Sequence, residues 1–138
     1  MADVFSRRER SRVMSRVGSK DTKPEKIVRS AVHREGFRFR LHRRDLPGTP
    51  DIVLPRHQKV IFVHGCFWHG HSGCSRSRRP TSNTEFWNGK LDKNIARDKS
   101  NKRKLRRLGW KVLVVWECET KAREKLHRKL RRFLHAGD

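Results

Sequence analysis

The sequence predicts a mixed α/β fold, with a central sheet and helices packed against it. Two apolar runs, Lys59–His64 and Trp110–Trp116, have the length and the β-branched content of buried strands. Segments with helical periodicity lie before, between and after the strands, so that the order of elements is αβββαβα. Only 33% of the 138 residues are hydrophobic, which suits one compact core centred on strands.

The first helix has a start signal and a stop signal. Thr22 suits the N-cap, Pro24 is tolerated in the first turn, and Glu25 follows the cap by three residues, as a capping box requires. Gly36 ends the helix. One apolar stripe faces the sheet and consists of Ile27, Val28, Ala31 and Val32. As the carboxylate of the capping box, Glu25 needs no other role.

Three strands follow this helix. Residues 37–41 alternate apolar and basic side chains, 51–54 come after a turn rich in Gly and Pro, and 59–64 form a continuous apolar run. The stretch 72–83 is a loop, since Ser, Arg, Gly and Pro dominate it.

The second half of the chain is predicted to be a helix, a strand and a helix. The first helix runs from about Asn94 to Leu108 and stops at Gly109, directly before the strand Trp110–Trp116. The last helix runs from about Lys121 to Leu134. It places Ala122, Leu126, Leu130 and Leu134 on one face, with basic residues elsewhere.

Charge is the strongest signal in the composition. Lys and Arg number 36 against 14 Asp and Glu, for a formal net charge of +22. Such an excess repels itself in a compact state and favours a polyanionic partner, first of all nucleic acid. The alternative is a ribosomal-type or merely adhesive basic protein. Residues 1–20 are predicted to be a basic arm that orders on DNA, and residues 21–138 a single domain.

No segment resembles a membrane span or the apolar part of a signal peptide, so we expect a cytoplasmic protein with reduced cysteines. Three cysteines and one histidine have a spacing compatible with a tetrahedral zinc site: Cys66, His71, Cys74 and Cys118. The alternative is that the cysteines are buried and inert and that the histidine lies at the surface.

Two further histidines and one aspartate form a second group. Asp51 opens one strand and His64 ends the next, with His69 in the following loop. Metal-dependent nucleases often place an acid that holds Mg²⁺ and a second group that activates water in this way. The usual second metal-binding acid is missing here, and the backbone carbonyl of Val63 is a candidate replacement. The alternative for Asp51 is a turn residue after Pro50.

Phe67 and Trp68 are adjacent, so in an extended chain they point to opposite sides. Held in a zinc-braced loop, they are candidates for wedging into a stack of bases, and Trp87 is a third candidate. The alternative is packing of these aromatics against the sheet.

In these motifs the chain resembles the very-short-patch repair DNA mismatch endonucleases. The resemblance covers about Arg10 to Cys118. Its marks are Met14, Thr22, Pro24-Glu25, Leu46-Pro47-Gly48, Pro50-Asp51, Val63 to His69, His71, Glu85-Phe86-Trp87, Asn94, Arg97-Asp98, Leu108-Gly109-Trp110, Val112-Leu113 and Val115 to Cys118.

The resemblance implies a restriction-endonuclease-like fold with a structural zinc knuckle. It also implies Mg²⁺-dependent nicking of one strand 5′ to the thymine of a T:G mismatch that arises from deamination of 5-methylcytosine. Asp51 and the carbonyl of Val63 would bind Mg²⁺, and Glu25 would support His69 or water on the metal. His69 would act as general base, and His64 would stabilise the phosphate.

The resemblance further assigns zinc to Cys66, His71, Cys74 and Cys118. Phe67, Trp68 and Trp87 would enter the DNA from the major groove and Met14 from the minor groove. The partners it implies are mismatched duplex DNA and other mismatch-repair proteins, in a bacterial cytoplasm at the nucleoid, and we expect a monomer.

Two features depart from the family pattern. Ser72-Gly73 places one additional residue between His71 and Cys74, which we expect Gly73 to absorb, and Val63 replaces an expected Thr. Two other functions stay open: a zinc-braced binding module without catalysis, and an endonuclease of the same fold with restriction-type specificity.

Overall fold

The computed structural model describes residues 21–136, so the predicted basic arm and Met14 lie outside the described part. The elements alternate as predicted. They are α1 Lys23–Arg34, β1 Arg40–Leu41, β2 Ile52–Leu54, β3 Lys59–His64, α2 Thr84–Arg107, β4 Lys111–Trp116 and α3 Arg123–Leu134, with 3₁₀ turns at Pro55–His57, Ser75–Ser77 and Glu117–Lys121. None of the helices described over 21–136 is both long and apolar enough to cross a membrane.

The four strands form one mixed sheet in the order β1-β2-β3-β4. Pairing is antiparallel between β1 and β2 and between β2 and β3, whereas β3 and β4 are parallel. The register of the parallel pair sets His64 opposite Trp116. The loops that follow β3 and β4 therefore leave the same edge of the sheet, and this brings their side chains together.

The sheet is covered on both faces, because successive residues of each strand point to opposite sides. One face carries Ile52, Leu54, Ile61 and Val115 and packs against α1 and α3 through Val28, Ala31, Val32, Leu126, Leu130 and Leu134. The other face carries Val53, Val60 and Phe62, which pack with Leu46 of the loop before β2 and Leu105 near the end of α2. The result is a sheet between two helical layers.

Three predicted boundaries were wrong. A strand was predicted over 37–41, but the observed strand covers only Arg40–Leu41. Phe37 and Phe39 lie outside it and pack on the core as half-buried side chains. Helix α2 begins at Thr84 rather than near Asn94. Helix α3 begins at Arg123, because the chain first makes the 3₁₀ turn Glu117–Lys121.

Candidate active site

A cleft of about 680 Å³ opens where β3 ends. Helix α1 contributes Glu25 to it, and the start of β2 contributes Asp51. His64 and His69 come from β3 and the following turn, and α2 contributes Asp98. Four separate parts of the chain therefore bring carboxylates and imidazoles to one place.

Asp51 is held by the neighbouring strand. Its Oδ2 accepts a hydrogen bond of 2.7 Å from the backbone N–H of Val63. Burial raises the pKa of Asp51 to about 7, the Val63 amide opposes this, and the nearby Glu25 raises the pKa further. Burial makes the ionised carboxylate of Asp51 unfavourable. A bound divalent cation would stabilise the ionised form and so offset this free-energy cost.

Thr22 caps α1 as predicted, because its Oγ1 accepts a hydrogen bond of 3.4 Å from the backbone N–H of Glu25. The carboxylate of Glu25 accepts from the backbone N–H of Asp21 rather than from that of the cap, so its predicted part in the capping box was wrong. The whole residue is only 3% exposed. The carboxylate bonds the Arg29 guanidinium, the backbone N–H of Asp21 and the Nε2 of His42. The carboxylate of Glu25 thus bonds these three groups and not His69, which the family resemblance implied as a possible partner.

His69 pairs with Asp98 instead. Its Nδ1 lies 2.7 Å from Oδ2 of Asp98, across the gap between the turn and α2. The ring of His69 stacks on that of His64, with centroids 3.8 Å apart and planes 8° from parallel. Burial, followed by the proximity of His69, lowers the pKa of His64 to about 3. His64 is therefore a neutral imidazole at ordinary pH.

Three residues at this site were not predicted from the sequence: His42 and Asp98, which line the cleft, and Arg29, which bonds Glu25. Arg29 and His42 lie in basic stretches, where one more cation or imidazole gives no distinct signal. Asp98 belongs to the Arg97-Asp98 mark of the family resemblance, and that mark is the one signal that pointed to it.

The predicted zinc ligands come together at the same edge of the sheet. One ligand atom from each of Cys66, His71, Cys74 and Cys118 lies within 4.8 Å of all the others. Cys66 follows β3 and Cys118 follows β4, so the parallel pairing of these strands brings them close. The ring of His71 stacks on Trp116 at 4.3 Å. Three sulfurs and one imidazole nitrogen fit a closed tetrahedral site for zinc.

Gly73 takes up the additional residue of the Ser72-Gly73 spacing. It has a φ of +74°, which a residue with a side chain adopts at a cost, and no atom lies within 4 Å of the position that a Cβ would take there. The turn at Gly73 returns Cys74 to the cluster.

Phe67 and Trp68 do not point to opposite sides of the chain. Residues 66–70 form a turn, so the extended conformation assumed for them was wrong. Their rings lie 5.1 Å apart, and both contact Trp87, at 5.6 and 5.9 Å. Trp87 is 5% exposed, so it lies beneath the other two, which are half-buried. Among residues 21–136 the Nε1 of Trp87 has no hydrogen-bond partner.

Helix α2 fixes this turn at three points. Asn94 donates a hydrogen bond of 3.0 Å from its Nδ2 to the carbonyl of Trp68, and Asp98 holds His69. Gly70 approaches Ile95 so closely that an added Cβ would lie 2.5 Å from its Cδ1. The aromatic cluster and the histidines are therefore held by one rigid helix.

Known proteins resemble the chain over nearly its full length. The model of the family "DNA mismatch endonuclease Vsr" matches residues 2–76. The type II nicking enzyme V.XorIIP of Xanthomonas oryzae pv. oryzae is 50% identical over 97% of this chain and 98% of its own length. The type II nicking enzyme V.NmeAIP of Neisseria meningitidis is 47% identical over 95% of this chain and 96% of its own length.

A third relative carries the name of the family itself. The DNA mismatch endonuclease Vsr of Escherichia coli is 44% identical over 91% of this chain and 80% of its own length. The chain therefore belongs to the family of Vsr DNA mismatch endonucleases and is a DNA endonuclease.

Proposed function

We propose that this DNA mismatch endonuclease nicks one strand of a duplex 5′ to the thymine of a T:G mismatch, with Mg²⁺ in the cleft and zinc at the cysteine cluster. The observation that carries the proposal is the convergence of Asp51, Glu25, His64 and His69 on one cleft beside that cluster. We also assign the sheet between two helical layers to the restriction-endonuclease-like folds.

Asp51 and the backbone carbonyl of Val63 would hold Mg²⁺. Two features support this assignment. The Asp51 carboxylate accepts a hydrogen bond of 2.7 Å from the Val63 amide, which fixes its position. The carboxylate is also buried, so a cation would offset the free-energy cost of its negative charge. When bound, Mg²⁺ supplies positive charge beside the scissile phosphate. Glu25 adds a second negative charge next to Asp51.

His69 would take a proton from the attacking water. The bond between its Nδ1 and Asp98 leaves Nε2 as the basic nitrogen, because a carboxylate partner keeps the proton on Nδ1. His64 would donate a hydrogen bond to the phosphate as a neutral imidazole. The stacked rings keep the two functions side by side.

Phe67 and Trp68 would insert between bases from the major groove, with Trp87 supporting them from below and Met14 entering from the minor groove. The aromatic cluster supports this role, since its two outer rings rest on a buried one. Zinc held by Cys66, His71, Cys74 and Cys118 would brace the turn that carries both the wedge and His69.

The test uses labelled duplexes that differ only in carrying T:G or a matched pair. We expect one nick 5′ to the mispaired thymine in the presence of Mg²⁺, and none in its absence. Asp51→Ala and His69→Ala are expected to bind the duplex but not to cut it. Equal cleavage of both duplexes would replace mismatch specificity with restriction-type specificity, and cleavage without divalent metal would contradict the role of Asp51.

A further inference from the structure

We propose that His42 and Arg29 are positioning residues that fix Glu25 beside Asp51 and thereby set the affinity of the cleft for a divalent cation. The inference rests on the proposed Mg²⁺-dependent function. It concerns two side chains outside the proposed metal ligands. Both act through Glu25, which is the one proposed catalytic group that comes from α1.

His42 connects Glu25 with the backbone of Asp51. Its Nε2 lies 3.0 Å from each carboxylate oxygen of Glu25, and its backbone N–H donates to the carbonyl of Asp51 at 3.3 Å. Its φ of +48° is a left-handed conformation that costs energy for a residue with a side chain. The surrounding contacts thus hold His42 in a conformation from which one residue reaches both Glu25 and Asp51.

Arg29 balances the charge at the same place. Its Nη2 bonds a carboxylate oxygen of Asp21 and Oε2 of Glu25. The side chain of Glu25 is 4% exposed and that of Arg29 18%, so water screens this contact little. Glu25 and Asp51 repel each other as like charges, and the guanidinium offsets part of that repulsion while leaving Asp51 free.

The hydrogen bonds also distinguish the two oxygens of Glu25. Oε2 accepts from Arg29, from the Asp21 amide and from His42. Oε1 bonds His42, and the carboxylate lies close enough to that of Asp51 to raise its pKa. His42 contacts both oxygens and so fixes how the carboxylate of Glu25 is turned toward Asp51.

The same residues do not form a metal site of their own. Asp21, Glu25 and His42 place ligand atoms within 4.8 Å of one another. The guanidinium of Arg29 already bonds both carboxylates, so the positive charge that this cluster needs is present in the protein. The proposed site for the cation is therefore Asp51, whose buried carboxylate has no such cation bonded to it.

The test measures Mn²⁺ binding to the zinc-loaded, full-length protein without DNA, by electron paramagnetic resonance of free Mn²⁺. We expect His42→Ala to raise the Kd for Mn²⁺ by about 10-fold, because the carboxylate of Glu25 would lose its fixed place beside Asp51 and losses of outer contacts at other metal sites are of this size. His42→Gln keeps a side-chain donor and should recover most of the affinity. Arg29→Lys keeps the positive charge but loses the planar group that bonds both Asp21 and Glu25, so it should raise the Kd. Arg29→Gln also removes a charge that repels the cation, so its Kd should rise less.

The controls are His33→Ala and Arg34→Ala, two exposed positions on the helix that carries Arg29. A Kd within about 2-fold of the wild type in folded His42→Ala would overturn the inference. Should His42→Ala not fold, an unchanged Kd in Arg29→Lys, which keeps the charge, would overturn it equally. A wild-type protein that binds no Mn²⁺ would contradict the proposed function itself, which keeps the two failures distinct.

The Mg²⁺ dependence of nicking gives the second readout. His42→Ala should shift the half-saturating Mg²⁺ concentration upward about 10-fold, with activity recovering in excess Mg²⁺. A role limited to folding would instead lower the activity at every Mg²⁺ concentration.

Discussion

The imidazole rings of His64 and His69 are stacked, with 3.8 Å between their centroids and 8° between their planes. Their environments differ despite this contact. His64 is 6% exposed and lies at the end of a central strand, whereas His69 is half-buried and bonds Asp98 on α2. Two neighbouring imidazoles with different surroundings suit two different tasks in one reaction.

Asp98→Asn should slow nicking without weakening DNA binding. The amide can present an N–H to Nδ1 of His69, which would shift the ring proton to Nε2 and remove the base. We expect kcat to fall about 100-fold or more, on the scale of general-base losses. Single-turnover assays at a saturating protein concentration measure this rate of nicking. Asp92→Asn, an exposed carboxylate of the same helix, is the control, and an equal loss in both variants would contradict the assignment.

His64 should act as a neutral donor at every working pH, because burial lowers its pKa to about 3. His64→Gln retains an N–H donor and should keep more activity than His64→Leu, which is expected to lose about 10-fold to 100-fold. The shape of the pH–rate profile for kcat/KM should be the same in wild type and His64→Gln. Disappearance of an inflection between pH 5 and 8 in His64→Gln would show that His64 titrates there and would contradict this role.

Asp51 should destabilise the metal-free protein at high pH. The folded pKa of about 7 lies above the ordinary value of 3.8. The folded state therefore binds the proton more tightly, and this contribution to stability is complete below about pH 4 and lost as the pH rises through 7. Asp51→Asn keeps an acceptor for the Val63 amide and should raise the free energy of unfolding by about 1–3 kcal/mol at pH 8.

Urea unfolding in Mg²⁺-free buffer measures this difference, which should shrink steadily as the pH falls from 8 to 4.5. Chelators are avoided because they would also remove zinc. Added Mg²⁺ should stabilise the wild type at pH 8 and leave Asp51→Asn unchanged. A constant difference between the two proteins at pH 4.5 and 8 would show that titration of Asp51 is not its cause.

The strands and the helix order were predictable from the sequence, because apolar periodicity and caps are local signals. Residues 59–64 of β3 and the N-cap Thr22 were predicted correctly. The early start of α2 was missed for a local reason as well. Its N-cap, Asn83, has a left-handed backbone and makes no side-chain cap bond, and Gly89 interrupts the helical pattern.

The geometry of the site was less predictable, since it depends on pairing between distant segments. The grouping of Cys118 with Cys66 follows from the register that sets His64 opposite Trp116. The bonds from His42 to Glu25 and from Asp98 to His69 join residues far apart in the chain. No periodicity or spacing marks such a contact, which only the packed sheet and helices bring about.

Cys118→Ser should lower the zinc content of the purified protein well below one ion per chain. The hydroxyl of serine is a poor zinc ligand, and the remaining donors would be Cys66, His71 and Cys74. We expect the midpoint of thermal unfolding to fall by several degrees. Metal analysis and calorimetry measure both effects, with Ser75→Ala, an exposed neighbour of the cluster, as the control. Unchanged zinc content would remove Cys118 from the ligand set.

Gly70 and Gly89 offer a matched pair for testing how α2 holds the turn. An added Cβ at Gly70 would lie 2.5 Å from Cδ1 of Ile95, and the φ of +63° strains any residue with a side chain. Gly70→Ala should therefore lower the free energy of unfolding by about 1–3 kcal/mol. Gly89 lies exposed within α2 with no atom near its Cβ position, so Gly89→Ala should raise stability by about 0.5–1 kcal/mol.

The variants Gly70→Ala and Gly89→Ala also distinguish an effect on stability from an effect on catalysis. Gly70 follows His69 directly, so displacement of the turn from Ile95 should move His69 away from Asp98 and reduce kcat, even where Gly70→Ala is fully folded. Chemical denaturation and single-turnover nicking at one temperature measure the two effects. If Gly70→Ala lost stability but kept the wild-type kcat, the approach of Gly70 to Ile95 would serve the fold alone, and His69 would owe its position to the Asp98 bond.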